Sequence, residues 1–215
     1  MLSVMLLLLL DGCRDNNTVT DVDGNIYPVV QIGKQVWMAQ NLSVTRYRNG
    51  DSIPQLIRPG DWAKAREGAY CSYVTRDGIL SNYGRLYNGY AVQDERQIAP
   101  EGWHIPTAAE IAELADYLKG DTIAGGALKA TGLTHWLYPN TGATNSSGFT
   151  ALPGGYRYGP EGSFHTLGSN GYWWCSTGSF ELYSWSQRFY TGFADINRDP
   201  QYLAYGFSIR CIKDQ

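Results

Sequence analysis

The sequence predicts an α+β domain in which twisted antiparallel sheets are combined with one clear helix at about residues 107–118. That stretch has the pattern of an amphipathic helix with a capping signal at its start. Long extended segments rich in glycine and aromatic residues lie on both sides of it, as expected for a helix docked on sheets. The 215 residues fit one domain, and no linker or internal repeat divides them.

The charge balance argues against two classes of partner. Charged residues make up 17% of the chain and the formal net charge is −3. This composition gives no electrostatic reason to expect nucleic acid or an anionic membrane surface as a partner. We therefore expect contact with a membrane only through a lipid anchor.

That anchor is predicted from the N-terminus. Met1–Leu10 is almost wholly apolar, has the length of a signal-peptide core and is too short to span a bilayer. The run closes on Gly12-Cys13 and resembles a bacterial lipoprotein signal, although no Lys or Arg precedes it and Asp11 replaces the usual small residue. We predict a signal peptide at 1–12, acylation of Cys13 and a tether at 13–17. The alternative is a frayed apolar N-terminus.

The first half of the chain predicts mainly strands. Thr18–Leu42 has the pattern of a β-meander, with a type I′ hairpin turn at Asp23-Gly24 and a second turn at Gly33-Lys34. Residues 46–64 are expected to be irregular, and Ala69–Val74 a short strand. The pattern of Tyr83–Ala91 fits either a strand or a short helix, and both readings stay open.

The helix has a complete set of sequence signals. Thr107 followed by Glu110 is a capping box, and Pro106 prevents an earlier start. Gly120 is expected to end the helix. The apolar stripe consists of Ile111, Leu114, Ala115 and Leu118.

After this helix the patterns are weaker. Ala124–Thr131 could form a second helix, interrupted by Gly125-Gly126, and Leu133–Asn170 is predicted to be a long irregular loop region. The predicted closing strands are Tyr172–Thr177, Tyr183–Tyr190 and Tyr205–Ile212. In the last strand, Phe207, Ile209 and Cys211 are expected to share a face.

No residue pattern predicts catalysis or a metal site. Glu110 and Glu113 fit a solvated helix face. The set Asp195, Asn197 and Asp199 resembles part of a calcium loop but fits a turn stabilised by Asx hydrogen bonds better. The three histidines (His104, His135 and His165) show no ligand spacing, and no Cys-x-x-Cys occurs. We predict no cofactor, no metal and no catalytic residue.

Aromatic side chains are the remaining candidates for ligand binding. Tyrosine and tryptophan offer flat apolar faces with a polar tip, which suits stacking on sugars or packing on proteins. The candidates lie in or near the long irregular region: Trp136, Tyr138, Tyr156, Tyr158 and Tyr183. For each of them, a place in the core or in a strand pair is the alternative.

Several stretches together resemble the Fibrobacter succinogenes major paralogous domain, a family of secreted and lipid-anchored bacterial proteins. In the first half they are Asp23-Gly24-Asn25-Ile26-Tyr27, Gln35-Val36-Trp37-Met38-Ala39-Gln40-Asn41-Leu42, Tyr83-Gly84-Arg85-Leu86-Tyr87-Asn88 and Ala99-Pro100-Glu101-Gly102-Trp103-His104-Ile105-Pro106-Thr107. In the second half they are Gly142-Ala143-Thr144-Asn145-Ser146-Ser147-Gly148-Phe149, Ala151-Leu152-Pro153-Gly154-Gly155-Tyr156-Arg157, Gly171-Tyr172-Trp173-Trp174 and Gly206-Phe207-Ser208-Ile209-Arg210-Cys211. We therefore expect this domain to occupy residues 18–215.

The resemblance implies a C-type-lectin-like fold. It also implies a disulfide between Cys71 and Cys211, which stand where the family has cysteines. Cys175 departs from the family's usual Trp-Trp-Ser-Ser-Thr, so a Cys175–Cys211 pair is the competing possibility. The calcium-binding tripeptides of sugar-binding lectins, Glu-Pro-Asn and Gln-Pro-Asp, do not occur in the chain.

The function expected from these patterns is binding without catalysis. We predict an exported protein, lipid-anchored in the bacterial cell envelope at the outer membrane or cell surface, that binds a glycan or a surface protein. The alternative is a structural or assembly component of a surface appendage. An oxidative enzyme of the formylglycine-generating type, using Cys175 and Cys211, is a remote alternative.

Overall fold

The computed structural model describes residues 17–75, 78–79 and 83–215. The predicted signal peptide and the predicted acylation site, Cys13, lie outside these residues. The described chain is mostly β, with curled antiparallel sheets and few helices. None of the described helices is long and apolar enough to cross a membrane.

The first sheet joins both ends of the described chain. Its strands are β1 (Thr18–Thr20), β2 (Ile26–Ile32), β3 (Gln35–Met38), β8 (Trp103–His104) and β15 (Ile212–Lys213). Their spatial order is β1-β2-β3-β15-β8, and every pairing is antiparallel. The predicted N-terminal meander is confirmed, and the last strand of the chain lies beside it.

The two turns of the meander differ from each other. Gly33-Lys34 forms the predicted two-residue turn, with Ile32 paired to Gln35. The predicted type I′ turn at Asp23-Gly24 is wrong, because β1 and β2 are joined by a five-residue loop, 21–25, in which only Gly24 has a positive φ. Asp21 organises this loop by accepting hydrogen bonds from the backbone N–H groups of Asp23 and Asn25.

The second sheet collects short strands from distant parts of the sequence. They are β4 (Tyr70–Cys71), β7 (Leu86–Asn88), β9 (Tyr156–Arg157), β10 (Phe164–His165) and β14 (Gly206–Phe207). The spatial order is β10-β9-β14-β7-β4. Two more short strands, β5 (Val74–Thr75) and β6 (Gly78–Ile79), pair only with each other.

The third sheet is a long hairpin with an added edge strand. Its strands are β11 (Asn170–Phe180), β12 (Tyr183–Tyr190) and β13 (Asn197–Tyr202), in that order. The predicted Asx turn at Asp195–Asp199 is wrong, because Asp199 lies in β13, opposite Ser186. Its carboxylate pairs with Arg188 across the sheet at 2.7 Å.

The predicted main helix is confirmed as α3 (Ala108–Tyr117). Thr107 and Glu110 form the full capping box. The apolar stripe packs inward, with Ile111, Leu114 and Ala115 buried. Local sequence signals therefore determine this element completely.

The sequence predicted the other helices only in part. The region 46–64 contains an unpredicted helix, α1 (Pro59–Lys64), and residues 83–91 hold both the strand β7 and a short helix, α2 (Gly89–Val92). The second helix, α4, spans Asp121–Leu128 without interruption. Its glycines are required by close packing, because a Cβ on Gly125 would lie 2.2 Å from the carbonyl oxygen of Asp195.

Buried apolar residues form three clusters. The first lies between the first two sheets and β11, and includes Met38, Tyr87, Trp174 and Phe207. The second joins the first and third sheets to α3 and α4, and includes Trp37, Leu114, Leu128 and Trp173. The third packs α1 on the second sheet through Trp62 and Leu86.

The three described cysteines lie in three different clusters. Cys211 is in the first, Cys175 in the second and Cys71 in the third, and all are buried and free. The predicted Cys71–Cys211 disulfide is therefore wrong, and the competing Cys175–Cys211 pair is not formed. The reason is strand alternation: Tyr70 faces the first cluster, so the next residue, Cys71, points to the opposite face of the second sheet.

Buried cations fix the glycine-rich loops of the second half. Lys129 Nζ donates to the backbone oxygens of Thr141, Tyr190 and Phe193 at 2.7–3.0 Å. Arg157 donates in the same way to three loop carbonyls, those of Leu56, Ile57 and Gly162. These side chains therefore supply N–H donors to backbone carbonyls in the loops and at the strand ends.

Candidate ligand-binding surface

One edge of the second sheet carries a half-exposed group of aromatic rings. It consists of Tyr156, Tyr158, His165 and Tyr205, which we call the tyrosine surface. Strand pairing assembles it, since His165 on β10 pairs with Tyr156 on β9, and β14 follows Tyr205 on the other side of β9.

The rings are in mutual contact. Tyr156 stacks on His165 with a centroid distance of 5.2 Å and an interplanar angle of 23°. Tyr158 meets His165 edge-on at 5.9 Å and lies 5.3 Å from Tyr205. Tyr156 also contacts Tyr205 at 6.0 Å. The four rings therefore form a continuous apolar surface with several polar atoms.

Strand alternation explains how this surface is supported from the opposite face of β9. Arg157, between the two tyrosines, points to the opposite face of β9, where it lies over the rings of Trp62 and Phe164 at 4.6 and 5.0 Å. The turn after β9 is closed by a hydrogen bond from the Tyr158 N–H to the Ser163 oxygen at 2.7 Å. The buried arginine anchors the strand from behind, so the tyrosines are held in place before any ligand arrives.

The hydroxyls of Tyr156 and Tyr205 are neutral donors and acceptors. Burial raises the pKa of Tyr156, and the nearby Tyr172 and Tyr158 raise it further. Burial also raises the pKa of Tyr205, with Tyr158 adding to the effect. Because an unperturbed tyrosine already titrates near pH 10, these groups stay protonated at neutral pH.

More exposed aromatic residues continue from this surface along the third sheet. Tyr183 is 41% exposed and its ring lies 5.6 Å from that of Tyr202. Phe180, at the end of β11, is 72% exposed and contacts Tyr183 edge-on. The Tyr205 N–H donates to the Tyr202 oxygen at 2.9 Å, so the end of β13 lies next to the tyrosine surface.

The predicted candidates divide into three groups. Tyr156 and Tyr158 lie together in the tyrosine surface, with Tyr183 beside it. Tyr138 is 82% exposed, but no ring contact joins it to this group in the described part of the chain. Trp136 is not available to a ligand: it is only 1% exposed, its Nε1 donates to the Ala151 oxygen, and Lys129 lies over its ring.

Two members of the tyrosine surface were missed by the sequence reasoning. Tyr205 lies just before β14 and His165 within β10, and both reach the site only through pairing with β9. A local pattern could not reveal this, because β9 and β14 are far apart in the sequence. The adjacent tyrosine-rich stretch at 202–205 was the one available signal.

His104 forms a second polar cluster, at the start of α3. Its Nδ1 is 2.6 Å from Asp214 and its Nε2 is 2.9 Å from Glu110. Burial disfavours the imidazolium, but the hydrogen bonds to the two carboxylates outweigh it and raise the pKa of His104. Both ring nitrogens are occupied, so the imidazole is not placed to act as a general base.

This cluster predicts a pH-dependent stability. A histidine with a raised pKa in the folded state contributes its stabilisation below its unfolded pKa of about 6.5 and loses it as the pH rises through the folded value. We expect His104→Gln to lower the free energy of unfolding near pH 5.5 and to have less effect near pH 9. The difference should stay below about 1 kcal/mol, since His104 is partly exposed. Urea unfolding of both proteins at both pH values measures it; an equal effect at the two would contradict the assignment.

The described residues contain no arrangement of side chains typical of a metal site or of an activated thiol. No group of three or more His, Cys, Asp or Glu side chains within the described ranges is arranged to hold a metal ion. Burial raises the pKa of Cys71 to about 11 and that of Cys175 to about 12. These thiols are therefore protonated and enclosed at neutral pH.

Comparison with known proteins identifies a family over most of the chain. No curated protein and no solved structure shows a significant match to this chain. The profile described as the Fibrobacter succinogenes major domain matches residues 30–213, from the middle of β2 to the end of β15. Because this match covers far more than half of the sequence, the chain belongs to the Fibrobacter succinogenes major domain family.

Proposed function

We propose that this protein is a non-enzymatic binding module whose tyrosine surface stacks against a glycan. The supporting observation is the continuous, half-exposed contact among Tyr156, Tyr158, His165 and Tyr205. Flat rings with neutral polar atoms suit a sugar, which presents an apolar ring face bordered by hydroxyls. The anchoring by Arg157 reduces the ordering cost of binding.

The proposal includes a C-type-lectin-like fold and a place in the bacterial cell envelope. A β-rich domain with few helices and long, well-ordered loops is compatible with that fold class. The sugar would be held by stacking and hydroxyl hydrogen bonds rather than by calcium, because the chain has neither calcium-binding tripeptide of the sugar-binding lectins.

A glycan array tests the proposal. The purified chain should bind a subset of neutral glycans, and removal of calcium with EDTA should leave the signals unchanged. Tyr158→Ala should abolish most of them. Tyr117→Ala is the matched control, because Tyr117 is 63% exposed at the end of α3, outside the tyrosine surface. The proposal fails if the folded chain binds no glycan, or if the two variants bind alike.

Envelope anchoring has its own expected result. Cys13→Ser should move the protein from the membrane fraction to the soluble fraction, since a lipid on this cysteine would be the only membrane contact. Asn17→Ser, four residues further on, is the matched control and should fractionate like the parent. With the start codon verified, membrane association of the Cys13 variant equal to that of the parent would refute acylation.

A further inference from the structure

A recess of about 360 Å³ lies between the N-terminal meander and the long loop region. Its lining comprises Pro28, Ala39, Gln40, Asn41, His135, Thr150, Leu152 and Arg210. None of these residues is acidic, whereas one is a guanidinium and one an imidazole. The volume is within the range of small-molecule sites. No residue of the tyrosine surface takes part in it.

Arg210 is the unusual member of this lining. Its side chain is buried, and burial lowers its pKa to about 9. Its Nε and Nη2 both donate to Asn41 Oδ1, at 3.1 and 2.8 Å, and its Nη1 donates to the backbone oxygens of Met38 and Phe149. A guanidinium has five N–H groups, so one on Nη2 has no acceptor among the described residues.

The charge of Arg210 is also uncompensated. No carboxylate in the described part of the chain forms an ion pair with it, and its contacts are neutral oxygens and the ring of Phe149. A buried charge without a counter-charge is costly, and a bound anion would offset that cost. Lys129 likewise forms no ion pair among the described residues, but its three N–H groups have three backbone acceptors and none of them is free.

His135 supplies a second donor to the recess. Its Nδ1 lies 3.2 Å from the Tyr83 hydroxyl. Burial raises the pKa of Tyr83, so this hydroxyl is protonated and can donate to Nδ1. When Nδ1 accepts this hydrogen bond, Nε2 carries a proton and is a donor.

We propose that this recess binds the carboxylate of a small acidic ligand, with Arg210 and His135 donating to its two oxygens. A carboxylate presents two coplanar oxygens, one for the guanidinium N–H and one for the imidazole N–H. The apolar walls at Pro28, Ala39 and Leu152 would contact the remainder of the ligand. This proposal does not rest on glycan binding by the tyrosine surface.

NMR titration of the full chain with sodium acetate, replacing chloride at constant ionic strength, tests it. The side-chain Nε–H signal of Arg210 should shift saturably, with a dissociation constant of about 1–10 mM, a weak affinity suited to two charge-assisted hydrogen bonds. His135→Leu should weaken binding at least about fivefold. His165→Leu, a matched change in the tyrosine surface, should leave it unchanged.

Three further probes test which chemical group the recess recognises. Glucuronate should bind at least as well as acetate, sulfate should bind more weakly, and neutral methyl glucoside should not shift the Arg210 signal. The proposal is overturned if acetate gives no saturable shift, if His135→Leu binds like the parent, if sulfate binds more tightly than the carboxylates, or if methyl glucoside shifts the signal as glucuronate does.

Discussion

Replacing Trp174 with alanine is expected to lower the free energy of unfolding by about 3–5 kcal/mol, the range for removing a large aromatic side chain from a core. Trp174 is fully buried in the first cluster, with its ring 4.5 Å from that of Phe207. Its Nε1 donates to the Tyr87 oxygen at 2.8 Å, which ties β11 to the second sheet. Alanine leaves a cavity and a carbonyl without its donor.

Denaturant unfolding measures this effect, and Trp174→Phe separates its two parts. Phenylalanine keeps most of the volume but not the N–H, so the loss should be smaller by roughly half or more. Tyr138→Ala, at a highly exposed aromatic residue, is the control and should cost less than about 0.5 kcal/mol. If Trp174→Ala were as mild as this control, the packing of β11 on the second sheet would be wrong.

Lys129→Met should also be strongly destabilising, by roughly 2–4 kcal/mol. Methionine has nearly the same length and can keep the contact with Trp136, whose ring centre lies 5.3 Å from Nζ. It cannot donate to the oxygens of Thr141, Tyr190 and Phe193, which each lose the donor that Nζ provides. The variant also avoids the cost of burying the charged ammonium group of Lys129, which offsets part of the loss.

The control for this experiment is Lys34→Met, which removes an exposed lysine from the turn between β2 and β3. Its effect should lie within about 0.5 kcal/mol of zero. Hydrogen exchange adds a local readout: the amides of 140–143 and 191–193 should lose protection in Lys129→Met. Unchanged stability and unchanged protection would show that the lysine does not hold these loops.

The elements that the sequence predicted are those with local causes. The helix α3 follows from the capping box at Thr107 and from one apolar stripe. The two-residue turn at Gly33-Lys34 and the meander around it follow from alternation and a positive-φ glycine. In each case the deciding contacts lie within a few residues, so pattern alone is sufficient.

Three of the errors arose where a distant contact decides the outcome. Trp136 was predicted to be an aromatic residue of a loop surface. It is instead buried, with Lys129 over its ring and its Nε1 bonded to the Ala151 oxygen. The disulfide failed because the sequence does not reveal which face of the second sheet Cys71 occupies. Tyr205 joins the tyrosine surface only through the pairing of β14 with β9. None of these contacts has a sequence pattern of its own.

The buried cations support the backbone beneath the proposed binding surface. Arg157 holds β9 from the opposite face and leaves Tyr156 and Tyr158 half-exposed in the tyrosine surface. No disulfide joins the described cysteines, and the hydrogen bonds of these cations are among the cross-links between the long loops and the short strands in the described part of the chain. In our proposal, this scaffold presents a preformed aromatic surface.

The most direct test of the proposed binding surface is calorimetric titration of the strongest array glycan against substitutions at Tyr205. Tyr205→Ala removes the ring that joins Tyr156 and Tyr158, and should weaken binding at least about tenfold, as expected for an aromatic hot spot. Tyr205→Phe keeps the ring and should stay within about threefold of the parent, while Tyr117→Ala should match it. Parent-like affinity in a folded Tyr205→Ala protein would contradict the assignment of this surface as the binding site.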